Sequence, residues 1–237
     1  MIIGKLIAFS MLSSIKIFSH VFYKNVLKFT PEKSGNYYKD TRMIVFMNHT
    51  SLYEPLFCSA LSYSFLWRLA FNNSVPGADI TLSRPIVGFF WKLLMPKITS
   101  ITRKKDESWD YYLNSIGPKD IIMFAPEGRM KRPTGLDKAG KKMTVRAGIA
   151  DIIEKLPDGN MVLAMSGGLH HVQAPGQFFP KIFKTISMNL VRVDIKEYKA
   201  QFTGSPREIK FKMVEDLQRR LETDCPPEPA PDSQTHH

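Results

Sequence analysis

A histidine and a glutamate in FMNHTSLYEP, residues 46–55, have the types and spacing that could carry out chemistry. Four residues separate His49 from Glu54, and an apolar run ends just before the histidine. Imidazole takes up a proton near neutral pH, and a carboxylate beside it fixes its tautomer and stabilises its charged form. The pair is therefore the smallest unit of general base catalysis. Alone it is a weak motif, since a chain with six histidines contains such a spacing about as often as not.

The turn between the two residues decides whether they can meet. Ser51 and Glu54 also fit the S-x-x-E pattern of a helix capping box, which would give the glutamate a structural role. Pro55 argues against the box, which would put proline at the fourth helical position, whereas proline is favoured at the first. A helix that begins at Pro55 leaves the Glu54 carboxylate free to reach His49. On one continuous helix the two side chains would point about 140° apart.

A second polar turn follows another apolar run. Residues 124–135, FAPEGRMKRPTG, contain Glu127, Gly128 and Arg129 directly after β-like residues. They offer a carboxylate, a backbone that a ligand can approach closely, and a guanidinium suited to phosphate. Between the two turns, a further β-like run leads to Arg103. Along the chain, the first turn, Arg103 and the second turn thus each contribute groups that could bind a ligand.

The segments that must position these turns alternate between strand-like and helix-like hydrophobic patterns. β-like runs lie at 43–47, 120–124, 160–165 and 186–195, and helical patterns lie near 55–63, 85–95, 107–115, 144–156 and 206–222. Strands separated by helices predict an α/β sheet. The strand that ends at Met47 places His49 at the carboxyl edge of that sheet, where open α/β proteins build their sites.

The composition predicts one globular domain. The chain has 237 residues, 43% of them hydrophobic, which is enough for a single core. We place the domain at residues 30–224, after a helical region at 1–29. Residues 225–237 are proline-rich and are predicted to be disordered. Cys58 and Cys225 are the only cysteines, so neither a disulfide framework nor a zinc site is indicated.

The charge indicates an anionic partner. The chain has 33 Lys and Arg against 22 Asp and Glu, a formal net charge of +11. Nucleic acid, a phospholipid surface and a phosphorylated substrate all fit this charge. Nucleic acid fits least, because no recognition motif is present. Residues 129–146 hold seven basic residues and are either a solvated loop or a phosphate site. No metal is assigned to His170 and His171, which have no Cys or acid at ligand spacing.

Residues 1–29 predict an amphipathic helix. Apolar residues fall on one face and basic residues on another, namely Met11, Ile15, Phe18, Phe22 and Val26 against Lys16, His20, Lys24 and Lys28. Such a helix lies in the interface of an anionic bilayer, and the same pattern fits a first helix docked on the core with solvated lysines. The two uncharged stretches, residues 6–15 and 17–23, are both shorter than the ~20 residues of a membrane span. The apolar residues 85–96 predict an ordinary buried helix in preference to an acyl-chain tunnel or a membrane insertion.

These motifs together resemble the glycerophospholipid, or lysophospholipid, acyltransferase family. His49 and Glu54 match the family's H-x4-D motif, with glutamate in place of aspartate. Arg103 resembles the arginine that ends its second block, and Pro126 to Arg129 resemble its third block, PEGTR, in a shortened form. The resemblance covers about residues 40–222.

The resemblance implies a glycerol-3-phosphate acyltransferase-like fold, a mixed α/β sheet flanked by helices with a membrane-associating N-terminus. It implies transfer of a fatty acyl chain from an acyl thioester, acyl-CoA or acyl carrier protein, to a lysophospholipid hydroxyl at the cytoplasmic membrane face. The default acceptor is 1-acylglycerol-3-phosphate, and neither a cofactor nor a metal is required. His49 is then the general base and Glu54 its orienting acid. The acceptor is held by Arg103, Glu127, Gly128 and Arg129, with Glu127 on a hydroxyl.

Two alternatives remain open on sequence alone. Glu54 in place of aspartate also resembles acyltransferases of lipid A and glycolipids, so the acceptor can be a glycolipid, a lipid A precursor or a lyso-ornithine-type lipid. A non-catalytic, basic membrane-binding protein is the rival from another class. The intact pair of His49 and Glu54 argues against that rival, because a scaffold without catalysis does not need it.

Overall fold

The computed structural model describes residues 2–35, 37–102, 104, 106–174, 177 and 179–229, and a seven-stranded sheet forms its centre. The strands are β1 Tyr23–Thr30, β2 Thr41–Met47, β3 Asn73–Ala78, β4 Ile98–Ile101, β5 Ile121–Phe124, β6 Asn160–Ser166 and β7 Lys184–Asp194. Their order across the sheet is β1-β7-β6-β2-β5-β3-β4. The β6–β7 pair is antiparallel, and the other five neighbouring pairs are parallel. The predicted mixed α/β sheet is confirmed.

Helices cover both faces of the sheet. They are α1 Ile2–Phe22, α2 Tyr63–Asn72, α3 Asp79–Leu82, α4 Pro85–Leu94, α5 Glu107–Ser115, α6 Gly148–Lys155, α7 Ile195–Ala200 and α8 Pro206–Thr223, with a 3₁₀ helix at Glu54–Ala60. One core lies between the sheet and α1, the 3₁₀ helix and α2; the other lies between the sheet and α5, α6, α7 and α8. The capping box expected at Ser205 and Glu208 is present at the start of α8.

The central strand β2 explains where the first polar turn lies. Met43, Val45 and Met47 face one core, while Ile44 and Phe46 face the other. Since successive side chains of a strand point to opposite faces and both faces are covered, the run is apolar throughout. β5 and β6 flank β2 and run parallel to it. The turns that follow these three strands therefore meet at one carboxyl edge.

The N-terminal helix is shorter than predicted. It ends at Phe22, and Tyr23–Thr30 form the edge strand β1 beside β7. Exposure alternates along β1, with Lys24 and Lys28 outside and Leu27 more buried. A spacing of four residues satisfies the two-residue period of a strand as well as a helical face, so the prediction of helix up to residue 29 is wrong over its last part.

The faces of α1 also differ from the prediction. Lys16, expected on a solvated polar face, is buried, and its Nζ donates to the carbonyl oxygens of Ser59 and Leu61, each at 2.8 Å. In its place an apolar face is exposed, made of Ile2, Ile3, Leu6, Ile7, Ile17, Phe18 and Val21. With 21 residues, α1 is by length and composition apolar enough to cross a bilayer, and only 17% of its most apolar stretch is buried. This differs from the sequence expectation that no stretch reaches the length of a span, because one helix continues through Lys16.

Two further segments differ from the sequence expectations. β3 was not predicted because Pro76 and Gly77 weaken its strand pattern. The helix expected near 55–63 is the 3₁₀ helix followed by α2, with Ser62 as the α2 N-cap.

The first residues of the proline-rich tail are bonded to the domain. Asn189 Nδ2 donates to the carbonyl oxygen of Asp224, the residue before the tail, at 2.7 Å, and within the tail Glu228 Oε1 accepts from His170 N at 2.9 Å. The structure therefore differs from the expectation of disorder at residues 225–229. Residues 230–237 lie outside the described part of the chain.

Candidate active site

The turn after β2 brings His49 and Glu54 together. His49 Nδ1 lies 2.6 Å from Glu54 Oε2, and Thr50 N donates to Glu54 Oε1 at 3.0 Å. Because its partner is a carboxylate, Nδ1 carries the proton, and Nε2 of the neutral ring is then free to accept one. Tyr53 is the N-cap of the 3₁₀ helix and Glu54 its first residue, with Pro55 in the first turn. The pair can therefore work as a base and its orienting acid.

The charge of Glu54 tunes the base. Burial lowers the pKa of His49, but the charge and hydrogen bond of Glu54 and the charge of Glu127 outweigh burial, so the pKa lies above its ordinary value of 6.5. The neutral, proton-accepting form therefore becomes the major one only at a higher pH than for a free imidazole.

Glu127 bonds to the main chain of the catalytic turn, the residues 48–54 that carry His49 and Glu54. Asn48 N donates to Glu127 Oε1 at 2.7 Å, and His49 N donates to Oε2 at 2.9 Å. These bonds hold Asn48 in the left-handed region, with φ of 63°. Glu127 is only 1% exposed. Burial raises its pKa, and the two N–H bonds and the charge of His49 partly oppose that rise. The buried carboxylate of Glu127 is thus bonded to the backbone of the turn, whereas the resemblance implied a bond to an acceptor hydroxyl.

Gly128 and Arg129 continue the second turn. Gly128 has φ of 64° and its N donates to the carbonyl oxygen of Ala125 at 3.1 Å, which reverses the chain after Glu127. Arg129 Nη1 donates to Asp137 Oδ2, so an acid within the basic segment orients the guanidinium. Backbone bonds, above all from Lys141, and the bond from Arg129 lower the pKa of Asp137 to about 2. Arg129 lines an open groove, whereas Arg103 lies outside the described residues.

Lys131 is a supporting residue that the sequence analysis missed. Its N donates to the carbonyl oxygen of His49 at 2.8 Å, and its Nζ donates to Asn48 Oδ1 at 3.1 Å. The sequence shows it only as one of seven basic residues in 129–146, and the main-chain bond leaves no signal in the residue type. Lys131 thus ties the second turn to the first.

The loop after β6 forms the third support. Asn48 Nδ2 donates to the carbonyl oxygen of Ser166 at 2.8 Å. Leu169 N donates to Thr50 Oγ1 at 2.8 Å. Further along the turn, Ser51 Oγ donates to Gln173 Oε1 at 2.8 Å. The end of β6 and the loop after it therefore bond to three residues of the catalytic turn.

An apolar cavity of about 170 Å³ opens beside His49 and Glu54. It lies between the sheet and the helices of one face, with walls that include Leu12, Phe57, Trp91, Met95 and Ala164. Such a cavity accepts an apolar chain and excludes water. His49 and Glu54 thus lie at the wall of a cavity suited to an apolar chain.

A larger open groove, of about 1480 Å³, adjoins the cavity at Pro55 and Trp91, which line both. It combines basic residues with apolar ones, namely Arg84, Arg129, Arg132 and Lys138 with Phe18, Ile86, Phe90 and Phe179. This combination suits a molecule with an anionic head and an apolar tail.

The helix α4 lines the groove with several apolar residues. Ile86 is 82% exposed and Phe89 is 65% exposed, whereas Trp91 lines both the groove and the cavity. The expectation of an ordinary buried helix for residues 85–96 is therefore wrong, because α4 buries Gly88 and Leu94 and presents large apolar side chains outward.

The chain has known relatives in sequence and in structure. The acyltransferase family profile matches residues 28–166, more than half of the chain, including both polar turns. No curated protein matches the sequence. The structure is similar to the crystal structure of the 1-acyl-sn-glycerophosphate (LPA) acyltransferase PlsC from Thermotoga maritima, with 19% sequence identity and a TM-score of 0.54. The match covers 89% of this chain and 78% of that chain, and at this identity it shows the fold. By the extent of the family match, this protein belongs to the acyltransferase family and is an acyltransferase.

Proposed function

We propose that this enzyme transfers a fatty acyl chain from an acyl thioester, acyl-CoA or acyl carrier protein, to the free hydroxyl of a lysophospholipid, with 1-acylglycerol-3-phosphate as the acceptor. One observation carries the proposal. His49 and Glu54 line an apolar cavity, and Pro55, next to Glu54, lines both this cavity and an apolar and basic groove. A base at the wall of a site for an acyl chain, with a site for an anionic lipid adjoining that wall, fits this reaction.

The chemistry needs one base that later acts as an acid. His49 Nε2 takes the proton of the acceptor hydroxyl while the hydroxyl oxygen bonds to the thioester carbonyl carbon, and the carbonyl electrons move onto its oxygen. When these electrons return, the C–S bond breaks, and the imidazolium gives its proton to the departing sulfur. Glu54 stabilises the imidazolium between the two steps. General acid–base catalysis of this kind contributes about 10² to 10⁴ in rate.

The cavity sets what part of the donor can be enclosed. A cavity of about 150 Å³ lined by aliphatic and aromatic side chains binds benzene, so a volume near 170 Å³ accommodates about six carbon atoms. A longer acyl chain must widen the cavity or extend past Trp91 into the groove, which shares this residue with the cavity. The donor carbonyl then lies at the mouth, beside His49.

The groove suits the acceptor. The guanidinium groups of Arg129, Arg132 and Arg84 line it and present the planar, multiple donors that bind phosphate. Phe18 and Phe90 provide an apolar wall for the single acyl chain of a lysolipid. Arg129 is held by Asp137, so it enters binding with less side-chain freedom to lose.

The position of the groove supports work at a membrane surface. The exposed apolar face of α1 and the exposed residues of α4 lie on the two helices whose Phe18 and Phe90 line the groove. The opposite side of α1 packs on the core through Ala8 and Leu12. We infer a monotopic enzyme at the cytoplasmic face, with α1 in the bilayer interface and lipid acceptors entering the groove from it.

The test is a donor and acceptor panel. The purified chain is incubated in liposomes with acyl-CoA or acyl carrier protein thioesters and with lysophosphatidic acid, lyso-ornithine lipid or a lipid A precursor. Thiol release and lipid products are measured. Phosphatidic acid as the preferred product supports the proposal, whereas turnover confined to another acceptor replaces the lysophosphatidic acid assignment. Absence of turnover with every pair contradicts the proposed reaction.

A further inference from the structure

We propose that Glu228 and His170 position the catalytic turn, with His170 held as an imidazolium between the C-terminal segment and Lys131. The inference rests on the proposed function, because it concerns the same site. Neither residue lies in a motif that the resemblance covers.

The geometry around His170 requires two ring protons. Its Nδ1 lies 3.1 Å from Glu228 Oε2, and its Nε2 lies 2.8 Å from the carbonyl oxygen of Lys131. A carboxylate and a carbonyl are both acceptors, so both ring nitrogens must donate, and only the charged ring does so. His170 N donates to Glu228 Oε1 as well, at 2.9 Å. The side chain of His170 is only 10% exposed, so these bonds are largely shielded from water.

Lys131 carries this contact to the base. The residue that accepts from His170 through its carbonyl donates to the His49 carbonyl through its N, and to Asn48 Oδ1 through its Nζ. A chain of hydrogen bonds therefore runs from Glu228 through His170 and Lys131 to the two residues at the start of the catalytic turn. A displacement of the Lys131 backbone moves His49 directly.

Two glycines make room for the C-terminal segment. Gly168 has φ of 90°, and a Cβ there would lie 2.9 Å from the carboxyl carbon of Glu228. A Cβ on Gly167 would lie 3.2 Å from the carbonyl oxygen of Pro227 and 2.2 Å from Ser187 Oγ. Gly168 is thus required by its φ, and a side chain there would also meet the Glu228 carboxylate, whereas Gly167 is confined mainly by Ser187. The C-terminal segment therefore packs closely against this loop.

Three charged or titratable groups face His170. Glu228 comes from the C-terminal segment and Lys131 from the loop after β5, while His171 on the same loop has its Nδ1 3.9 Å from Glu228 Oε1. Burial and the charge of Lys131 lower the pKa of His170. The bonds to Glu228 and to the Lys131 carbonyl raise it by more, so the pKa lies above its ordinary value. Burial raises the pKa of Glu228, yet the bonds from His170 and the nearby ring of His171 bring it down to about 2.

The two histidines therefore have opposite requirements. His49 must lose its proton to act as a base, so activity rises as pH passes the His49 pKa. His170 must keep its proton to hold both partners. Its pKa is raised in the folded protein, so its contribution is present below the ordinary value and is lost as pH rises through the folded pKa. A bell-shaped dependence of kcat on pH follows, with His170 in the alkaline limb.

The test compares Glu228→Gln and Glu228→Asp with the wild-type full chain, and uses Glu215→Gln, an exposed glutamate of α8, as the matched control. We measure kcat, KM, the pH profile and Tm. Glu228→Gln is expected to lower kcat by about 10- to 100-fold with KM within about twofold, and to move only the alkaline limb to lower pH. Glu228→Asp keeps the charge and is expected to restore the alkaline limb, while Glu215→Gln resembles wild type.

Two results would overturn the inference. One is wild-type kinetics in Glu228→Gln; the other is a fall in kcat and Tm at every pH without movement of the alkaline limb, which indicates a structural role alone. A second readout does not depend on turnover. The His170 ring is titrated by NMR, with His170→Asn to assign its signal, and Glu228→Gln is expected to lower its pKa. If the wild type is inactive with every substrate pair, the proposed function fails, and this titration still decides whether Glu228 holds His170 charged.

Discussion

Replacement of Glu54 by glutamine tests the catalytic pair without changing its shape. In the wild type, Glu54 Oε2 faces the His49 Nδ1 proton at 2.6 Å, and Oε1 accepts from Thr50 N. In Glu54→Gln the amide oxygen can still accept from Thr50, and the NH₂ group then faces Nδ1. That arrangement favours the tautomer with the proton on Nε2, which cannot accept a proton from the acceptor hydroxyl.

The expected loss can be sized from the same geometry. A wrong tautomer combined with the loss of the charge that stabilises the imidazolium costs about 10² to 10⁴ in kcat. This corresponds to about 2.7 to 5.4 kcal/mol at 1.36 kcal/mol per decade. Glu54→Asp keeps the charge but shortens the side chain by one methylene, about 1.5 Å, so we expect a smaller loss, on the order of tenfold.

Steady-state thiol release, measured across pH with the preferred acceptor, gives the loss of kcat in Glu54→Gln. KM is expected to stay within about twofold, because Glu54 holds the base and not the lipid. Without the carboxylate, burial dominates and lowers the pKa of His49, so the acid limb moves to lower pH. The exposed Glu215→Gln serves again as the control. A Glu54→Gln enzyme that keeps more than about a third of wild-type kcat, with an unmoved acid limb, would refute the reasoning.

Three further expectations concern the two substrate sites and the membrane face. Asp137→Asn releases Arg129 and is expected to raise the acceptor KM about tenfold with little change in kcat; an unchanged KM would remove Arg129 from the acceptor site. Phe89→Asp is expected to weaken liposome binding by about 10- to 100-fold, measured by co-sedimentation, while Tyr111→Asp, also on an exposed aromatic residue, leaves it unchanged. Ala164→Leu fills part of the cavity. In a competition assay it is expected to lower kcat/KM for long-chain donors about tenfold relative to short-chain donors. An equal loss for both donors would exclude the cavity as the acyl site.

The central strand β2 and the first turn could be predicted from local sequence. The run at 43–47 is apolar on both faces, and Pro55 marks a helix start, so the strand, the turn and the reach of Glu54 to His49 follow from short-range rules. The capping box at Ser205 is equally local. Such features depend only on neighbouring residues, which is why the sequence shows them.

The contacts that support the turn could not be predicted in the same way. Lys16 looks like a solvated base until the carbonyl groups of Ser59 and Leu61 are placed around it. Glu127 matches a motif position, yet its role depends on two N–H groups from a turn that is 78 residues away in sequence. Main-chain partners leave no trace in residue type, and long-range pairing decides which of them meet.

The exposed faces of α1 and α4 were also beyond local rules. An apolar helix has the same sequence pattern whether it packs on a protein core or on lipid. The periodicity shows which residues share a face and not what covers that face. Only the packing shows that Ala8 and Leu12 face the core while Ile3 and Ile17 face outward.

The most direct measurement of the central claim is the turnover number of His49→Ala beside that of wild type, with the best donor and acceptor of the panel, at a pH above the acid limb. Circular dichroism and Tm confirm that the variant is folded. We predict a loss of at least about 10² in kcat, since no other base takes the proton of the acceptor hydroxyl in the proposed mechanism. A folded His49→Ala enzyme that keeps kcat within about threefold of wild type would contradict the claim that His49 is the general base.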